Sequence, residues 1–280
     1  MDEWVRSRRR WLLATQNADG GWGYFPAKQS WLEPTAWAML ALDGDSGSER
    51  AWALVRSWQL PDGSWPACAQ AREPHWTTAL AVLLHAVRGV HDDSFRRGVK
   101  WLLETSGSEN GIVFRVAHWL RPRVVEMDPS LKAWPWRPGT SSWIEPTAHA
   151  LAGLRRAADA YGGKAIRERI AEGERMMLER RCRDGGWNYG NRRVLGADLP
   201  SYPETTAIAL YGLKGASADL RAPVALARRF WDETRSPLAR AWLRLALWSH
   251  GVAVAAGDSP PSNDVMVVAL ESIAATGVLA

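Results

Sequence analysis

One pattern recurs along this chain, and it constrains the fold more than any other feature. Glu33-Pro34-Thr35-Ala36, Glu145-Pro146-Thr147-Ala148 and Glu204-Thr205-Thr206-Ala207 each place a carboxylate six residues ahead of a large apolar residue, at Met39, Leu151 and Leu210. Two weaker copies keep the spacing, with Trp76 and Asp264 in the acidic slot ahead of Val82 and Leu270. A repeated unit of this size cannot bury its apolar face alone and has to stack on its neighbours.

Each copy reads as a helix start. Proline suits the first helical turn, where its missing N–H costs nothing and its fixed φ fits. A carboxylate there meets the positive end of the helix dipole. Capping explains an acid at this place, but not a choice of Glu over the better capper Asp. Two readings therefore stand: the carboxylates cap their helices, or they line a cavity.

Helices of a second kind lie between the copies. Trp4, Val5, Trp11 and Leu12 sit among arginines from Trp4 to Thr15, which is the pattern of an amphipathic helix. Asp93 to Glu104, Ala165 to Arg181 and Arg221 to Glu233 follow the same plan. About eleven helices result, basic and amphipathic ones alternating with Ala/Leu-rich ones. The apolar helices are expected to form an inner barrel, and the basic ones an outer ring buried on one face. Ala36, Ala38, Ala148, Ala150, Ala207 and Ala209 would let the inner helices approach closely. The stretch 112–139 breaks the alternation with Arg121-Pro122-Arg123 and Trp134-Pro135-Trp136, and reads as a loop insertion crossing one mouth of a single domain spanning 1–280.

The chain has 18 Trp against 5 Tyr and 4 Phe, so tryptophan serves a repeated structural role, lines a cavity, or both. No apolar run is long enough to span a membrane, and Met1-Asp2-Glu3-Trp4 opens without the apolar core of a signal peptide. Cys68 and Cys182 are isolated, which fits a reducing, cytoplasmic setting. His75, His85, His91, His118, His149 and His250 show no ligand spacing with either cysteine, so neither metal nor cofactor is expected. The net charge is +5, with arginines clustered at 6–10, 96–97 and 180–181 on the outer helices. A solvated outer face, able to touch an anionic membrane surface, is expected there rather than a nucleic-acid site.

The turns between helices carry a second motif: Gln16, Gly20 and Trp22 in the form Gln-x-x-x-Gly-x-Trp, again at Gln59, Gly63 and Trp65, and without the Gln at Arg181, Gly185 and Trp187. This resembles the QW repeats of squalene-hopene and terpenoid cyclases, and the related repeats of protein prenyltransferase β subunits. The resemblance covers nearly the whole chain. It implies an all-α fold, a single α/α toroid of about five to six helix pairs, in which Gln caps a helix end and Trp stacks across to the neighbouring pair.

Class II cyclases protonate an alkene or epoxide with an Asp-x-Asp-Asp-Thr-Ala stretch at the mouth of an inner helix. Trp143-Ile144-Glu145-Pro146-Thr147-Ala148 matches it, and Glu145 falls on the proton donor. Trp143 and Pro146 replace the flanking acids that normally activate that donor, and Glu33 and Glu204 share the departure. The resemblance implies an isoprenoid or similar apolar substrate, Glu145 as acid, and His149 as its polar neighbour. Trp31, Trp37, Trp76, Trp143 and Trp242 would form an aromatic wall that stabilises carbocations. Protein prenyltransferases hold zinc with Asp, Cys and His, and no stretch here matches that set. Class II cyclases usually place the site between two helical domains, so a single toroid raises a partner protein or a homodimer. Two other readings fit the same residues. One is a binding or scaffolding toroid. The other is a carbohydrate-active toroid, in which two of Glu33, Glu145, Glu204 and Asp264 act as acid and base across a sugar.

Overall fold

The computed structural model describes residues 3–111, 127–255, 262–276 and 279. Much of the expected insertion, residues 112–126 with His118, lies outside them. The described helices are α1 (Glu3–Ala14), α2 (Leu32–Ala41), α3 (Ser46–Ser57), α4 (Thr78–Val87), α5 (Asp93–Glu104) and α6 (Ile144–Tyr161). They continue with α7 (Lys164–Glu179), α8 (Pro203–Gly212), α9 (Arg221–Glu233), α10 (Pro237–Ser249) and α11 (Val265–Thr276). A short hairpin pairs Arg193–Val194 with Ala197–Asp198.

Helix contacts close a ring. α2 packs on α4, α4 on α6, α6 on α8, α8 on α10, α10 on α11, and α11 back on α2. Outside it, α1 rests on α11, α3 on α2, α5 on α4 and α6, α7 on α6, and α9 on α8 and α10. This is the all-α toroid that the alternation implied.

Burial follows the same division. In α4 every residue from Thr78 to His85 is buried, as suits a helix with neighbours on both flanks and at its back. In α5 only Phe95, Gly98, Val99 and Leu102 are buried, a single helical stripe. Small residues let the inner helices touch: a Cβ on Gly212 of α8 would lie 2.6 Å from the Cβ of Ala148 in α6. On Gly153 of α6 it would lie 2.8 Å from the Ala79 carbonyl oxygen of α4.

The repeat is tied together at four buried tryptophans, Trp22, Trp65, Trp134 and Trp187. Each backbone N–H donates to a threonine hydroxyl of the next inner helix, at Thr35, Thr78, Thr147 and Thr206 respectively. Each indole N–H donates to a carbonyl in or near the last turn of an outer helix, at Leu12, Val55, Leu102 and Met177. The carbonyl two residues past each tryptophan accepts an N–H from the start of another inner segment. The pairs are Val265 to Tyr24, Leu32 to Ala67, Trp76 to Trp136, and Ile144 to Tyr189. The threonine of the recurring Thr-Ala therefore sets register, which gives a tertiary reason for its repetition.

The glutamines act as ties between turn and helix rather than as caps of a helix end. Gln16 Nε2 donates to the carbonyls of Gly20 and Gly47, both at 2.7 Å, and Gln59 Nε2 to those of Gly63 at 3.0 Å and Ser94 at 2.8 Å. Each joins its own turn to the start of the following outer helix. The turn itself needs glycine, because Gly20 and Gly63 have φ of +93° and +91°. The tryptophans stack where implied: a Cβ on Gly98 would meet the Trp65 ring at 2.8 Å, and one on Gly173 the Trp134 ring at 2.7 Å.

The stretch 112–139 is not irregular throughout. Trp134 occupies the same bonded position as Trp22, Trp65 and Trp187, so its segment belongs to the repeat and the interruption precedes it. Glu109 does the work of the turn aspartate: where Asp184 accepts from the Ser201 N–H, Glu109 accepts from the Ser142 N–H. No helix among the described residues is long and apolar enough to cross a membrane.

Candidate functional site

The ring brings the acidic slots of the repeat to one mouth. Glu33, Glu145 and Glu204 stand in the first turns of α2, α6 and α8, and Asp264 immediately precedes α11. Glu33 feels the charges of Asp264 and Glu204, and Glu145 feels those of Glu33 and Glu204. All four side chains are half-buried, walled by protein yet in reach of solvent-accessible space. They line a recess.

That placement separates capping from lining. Asp264 caps, since the Met266 N–H donates to its Oδ1 at 2.8 Å. Glu33 instead accepts the Tyr24 hydroxyl at 2.6 Å. Burial raises the Glu33 carboxyl to about 7, the charges of Asp264 and Glu204 add to the rise, and the Tyr24 bond opposes it. Glu145 is pushed well above the ordinary range, by burial first and then by the charges of Glu33 and Glu204. Burial also raises Glu204 and Asp264. Carboxylates held this close in a poorly solvated place resist ionising together, so the protonated form of Glu145 is favoured.

One helical turn deeper, about 5.4 Å along the axis, α2 presents Trp37 and α6 presents His149. Trp76 stacks on the His149 ring with centroids 4.8 Å apart. Trp242 meets Trp37 edge-on at 5.1 Å and His149 at 5.6 Å. Tyr211 closes the group at 6.2 Å from Trp37. All five rings are buried. Trp37, Trp76 and Trp242 thus form a packed aromatic floor around His149, while Trp31 and Trp143 stand half-buried at the rim. Trp31 lies 6.0 Å from Tyr24. Among the described residues, neither His149 ring nitrogen, nor the Trp37 indole nitrogen, has a hydrogen-bonding partner. Burial drops the His149 pKa to about 3, so the ring is neutral and able to accept through one nitrogen and donate through the other.

The rim is fixed from behind. The buried Glu109 accepts the Ser142 N–H and pairs with the buried Arg180, which donates to the Ser142 carbonyl at 2.7 Å. Ser142 leads directly into Trp143 and Glu145. Sequence reasoning passed over Tyr24, Tyr211, Glu109 and Arg180. For Tyr24 a signal existed, because it lies two residues after a turn tryptophan, as do Ala67, Trp136 and Tyr189.

Among the described residues no group of three or more His, Cys, Asp or Glu side chains could hold a metal ion. The basic outer helices are partly neutralised by their own acids: Arg6 and Arg10 pair with Glu3, and Arg9 with Asp45.

A closed helical ring with its turn tryptophans in register makes this chain an all-α, α/α toroid. No protein-family model matches it. A stretch of 65 residues is 43% identical to drimenyl diphosphate synthase of Streptantibioticus cattleyicolor, covering 21% of this chain and 12% of that protein. The match therefore spans a small part of that relative's length. The type II terpene cyclase MstE from Scytonema superposes with a TM-score of 0.56 at 18% identity, over 99% of this chain and 78% of the other. Its complex with the substrate geranylgeranyl dihydroxybenzoate gives a TM-score of 0.54 at 18% identity, over 88% and 71% of the two chains. The endo-β-1,4-glucanase CMCax from Acetobacter xylinum gives 0.61 at 14% identity, over 97% and 96%. Likeness at such low identity is likeness of fold.

Proposed function

We propose that this protein is an acid-initiated isoprenoid cyclase or isomerase, with Glu145 as the acid. The observation that carries the reading is the state and place of Glu145. Burial and two neighbouring carboxylates raise its pKa well above the ordinary carboxyl range, which favours the protonated form, and aromatic rings pack around His149 one helical turn below it. A neutral carboxylic acid is what alkene protonation needs, and ring faces stabilise the cation that results.

The balance is simple. The Glu145 O–H bond breaks as its proton adds to one carbon of a C=C bond, leaving a cation on the more substituted carbon. A second C=C of the same chain attacks that cation, closing a ring. Loss of a proton from the neighbouring carbon restores an alkene, so substrate and product are isomers. In this reading Glu33, whose carboxyl burial pushes up to about 7, takes that proton. The likeness to MstE and the local identity to drimenyl diphosphate synthase support an isoprenoid as substrate.

The test is incubation with farnesyl and geranylgeranyl diphosphate and with a prenylated arene, with products analysed by mass spectrometry. Wild type should yield cyclised isomers of at least one, and Glu145→Gln should bind the same compound without converting it. Equal conversion by both proteins refutes the assignment. A glycan reading draws on one observation, that the endoglucanase likeness covers nearly all of both chains. Release of reducing ends from soluble β-1,4-glucan, lost in Glu145→Gln, would replace the first reading with that one.

A further inference from the structure

Exposed apolar side chains gather at the mouth. Among the described residues six large apolar or aromatic side chains are exposed, and five of them lie in two of the turns that lead into inner helices. Phe25 belongs to the turn before α2, and Tyr189, Leu195, Leu199 and Tyr202 to the turn before α8. In the ring α2–α4–α6–α8–α10–α11 these two helices stand opposite each other, so the exposed side chains flank the opening on both sides.

The turn before α8 is built differently from its counterparts. Thirteen residues separate the turn tryptophan from its threonine at Trp22, Trp65 and Trp134, but nineteen at Trp187. The extra length carries the hairpin. Its base is fixed to the rim, since the Tyr189 carbonyl accepts the Ile144 N–H and a Cβ on Gly190 would lie 3.1 Å from the Trp143 ring. Tyr189 and Tyr202 pair there with ring centroids 5.5 Å apart. At the tip, Leu195 and Gly196 form the two-residue loop between Val194 and Ala197, with φ of +51° and +79°. Positive φ at both places is the mark of a type I′ turn, where Asn-Gly is preferred and a leucine meets a steric cost. Leu195 is also 76% exposed. Neither turn geometry nor burial favours leucine there, which suits its side chain to a contact outside the molecule.

Charge and placement narrow that contact. Between Trp22 and Glu33 the one charged residue is Lys28, and between Trp187 and Glu204 Arg192 and Arg193 outnumber Asp198. Aromatic and leucine side chains interleaved with a few cations make a surface that settles at the headgroup level of a bilayer. A flat lipid surface can touch both sides of the mouth at once and keep its hydrocarbon within reach of the opening. A globular partner seated on both sides would seal it.

We propose that the toroid docks mouth-first on a phospholipid bilayer, with Leu195 and Phe25 sinking between the headgroups. Apolar and aromatic side chains make the contact, and Lys28 and the hairpin arginines assist it, so it differs from adhesion through the basic outer helices. Docking does not depend on what Glu145 does. Its purpose, drawing a bilayer-dissolved isoprenoid into the mouth, rests on the function proposed above.

Vesicle flotation tests the docking, with phosphatidylcholine alone and with an added fraction of phosphatidylglycerol. The full chain should float with both, more with phosphatidylglycerol at low salt, and its binding to phosphatidylcholine should persist at high salt. Leu195→Asn with Phe25→Ser should lower the partition constant about tenfold, as expected for two partly inserted side chains. Leu195→Asn relieves the turn, so its Tm should not fall below wild type, which separates lost docking from lost folding. Arg6→Gln with Arg10→Gln, on the exposed face of α1, should leave flotation unchanged. Glu145→Gln should float like wild type whether or not it converts a substrate, so failure of the catalytic reading and failure of this one are read separately. No flotation with phosphatidylcholine, undiminished flotation of the Leu195→Asn, Phe25→Ser variant, or loss of flotation in the α1 variant would each overturn the proposal. A wild-type dimer that Leu195→Asn dissociates would overturn it too, by assigning the rim to a second copy of the chain.

Discussion

Replacing Glu109 by alanine should destabilise the toroid by about 3–5 kcal/mol, the cost of breaking a buried ion pair from one side. Both partners are nearly inaccessible, Glu109 at 0% and Arg180 at 2% of their free surface. The carboxylate accepts the Ser142 N–H at 3.0 and 3.1 Å and the Arg180 guanidinium at 3.1 Å. Its removal leaves a buried N–H without an acceptor, worth about 1–3 kcal/mol. The guanidinium keeps the Ser142 carbonyl but loses its counter-charge. Urea denaturation at 25 °C measures the loss, and Tm should fall by roughly 2 °C per kcal/mol in a chain of this length. The double variant Glu109→Leu with Arg180→Met removes both charges and should return to within about 1–2 kcal/mol of wild type. A single-variant cost under about 1 kcal/mol would refute the reasoning, as would a double variant no better than the single ones.

Three further outcomes follow from the same geometry. Burial raises the Glu33 carboxyl in the folded protein to about 7 from its ordinary value near 4.5, so the native state holds its proton where the unfolded chain has lost it. Its contribution to stability should fall as pH rises from about 4.5 to 7 and level off above; Glu33→Gln should flatten that part of a Tm-against-pH curve, and an unchanged curve would contradict the assignment. His149→Phe removes two buried, unpartnered nitrogens and should leave stability equal or raised by about 1–2 kcal/mol. The gain should grow below pH 6.5, where the unfolded chain binds a proton that the native ring refuses, and a loss above about 1 kcal/mol would show that the nitrogens are engaged. Trp134→Ala should cost about 3–5 kcal/mol and match Trp65→Ala, because both indoles are buried and make the same bond to an outer-helix carbonyl; a much smaller cost at position 134 would remove it from the repeat.

Much of the architecture was legible in the sequence because its causes are local. Whether a helix is apolar all round or along one stripe depends on residues three and four apart, so the inner and outer helices could be told from composition and period. The turn motif was legible for the same reason, since glutamine, glycine and tryptophan act within seven residues of one another. Trp134 escaped because its indole bonds to the Leu102 carbonyl, 32 residues back, across a segment that breaks the spacing the other turns keep. The roles of the carboxylates were decided only in three dimensions. Glu33, Asp264 and Glu204 hold matching places in the repeat, yet one bonds a tyrosine and another caps its own helix. Their proton affinities depend on how many carboxylates share a recess and how much water reaches it. Trp37, Trp76 and Trp242 could be read as aromatic in role, but whether rings face a void or each other is set by inner helices distant in sequence. Here they close on His149 and make a floor. Periodicity determined the ring; desolvation and convergence, which exist only once the ring has closed, decided its chemistry.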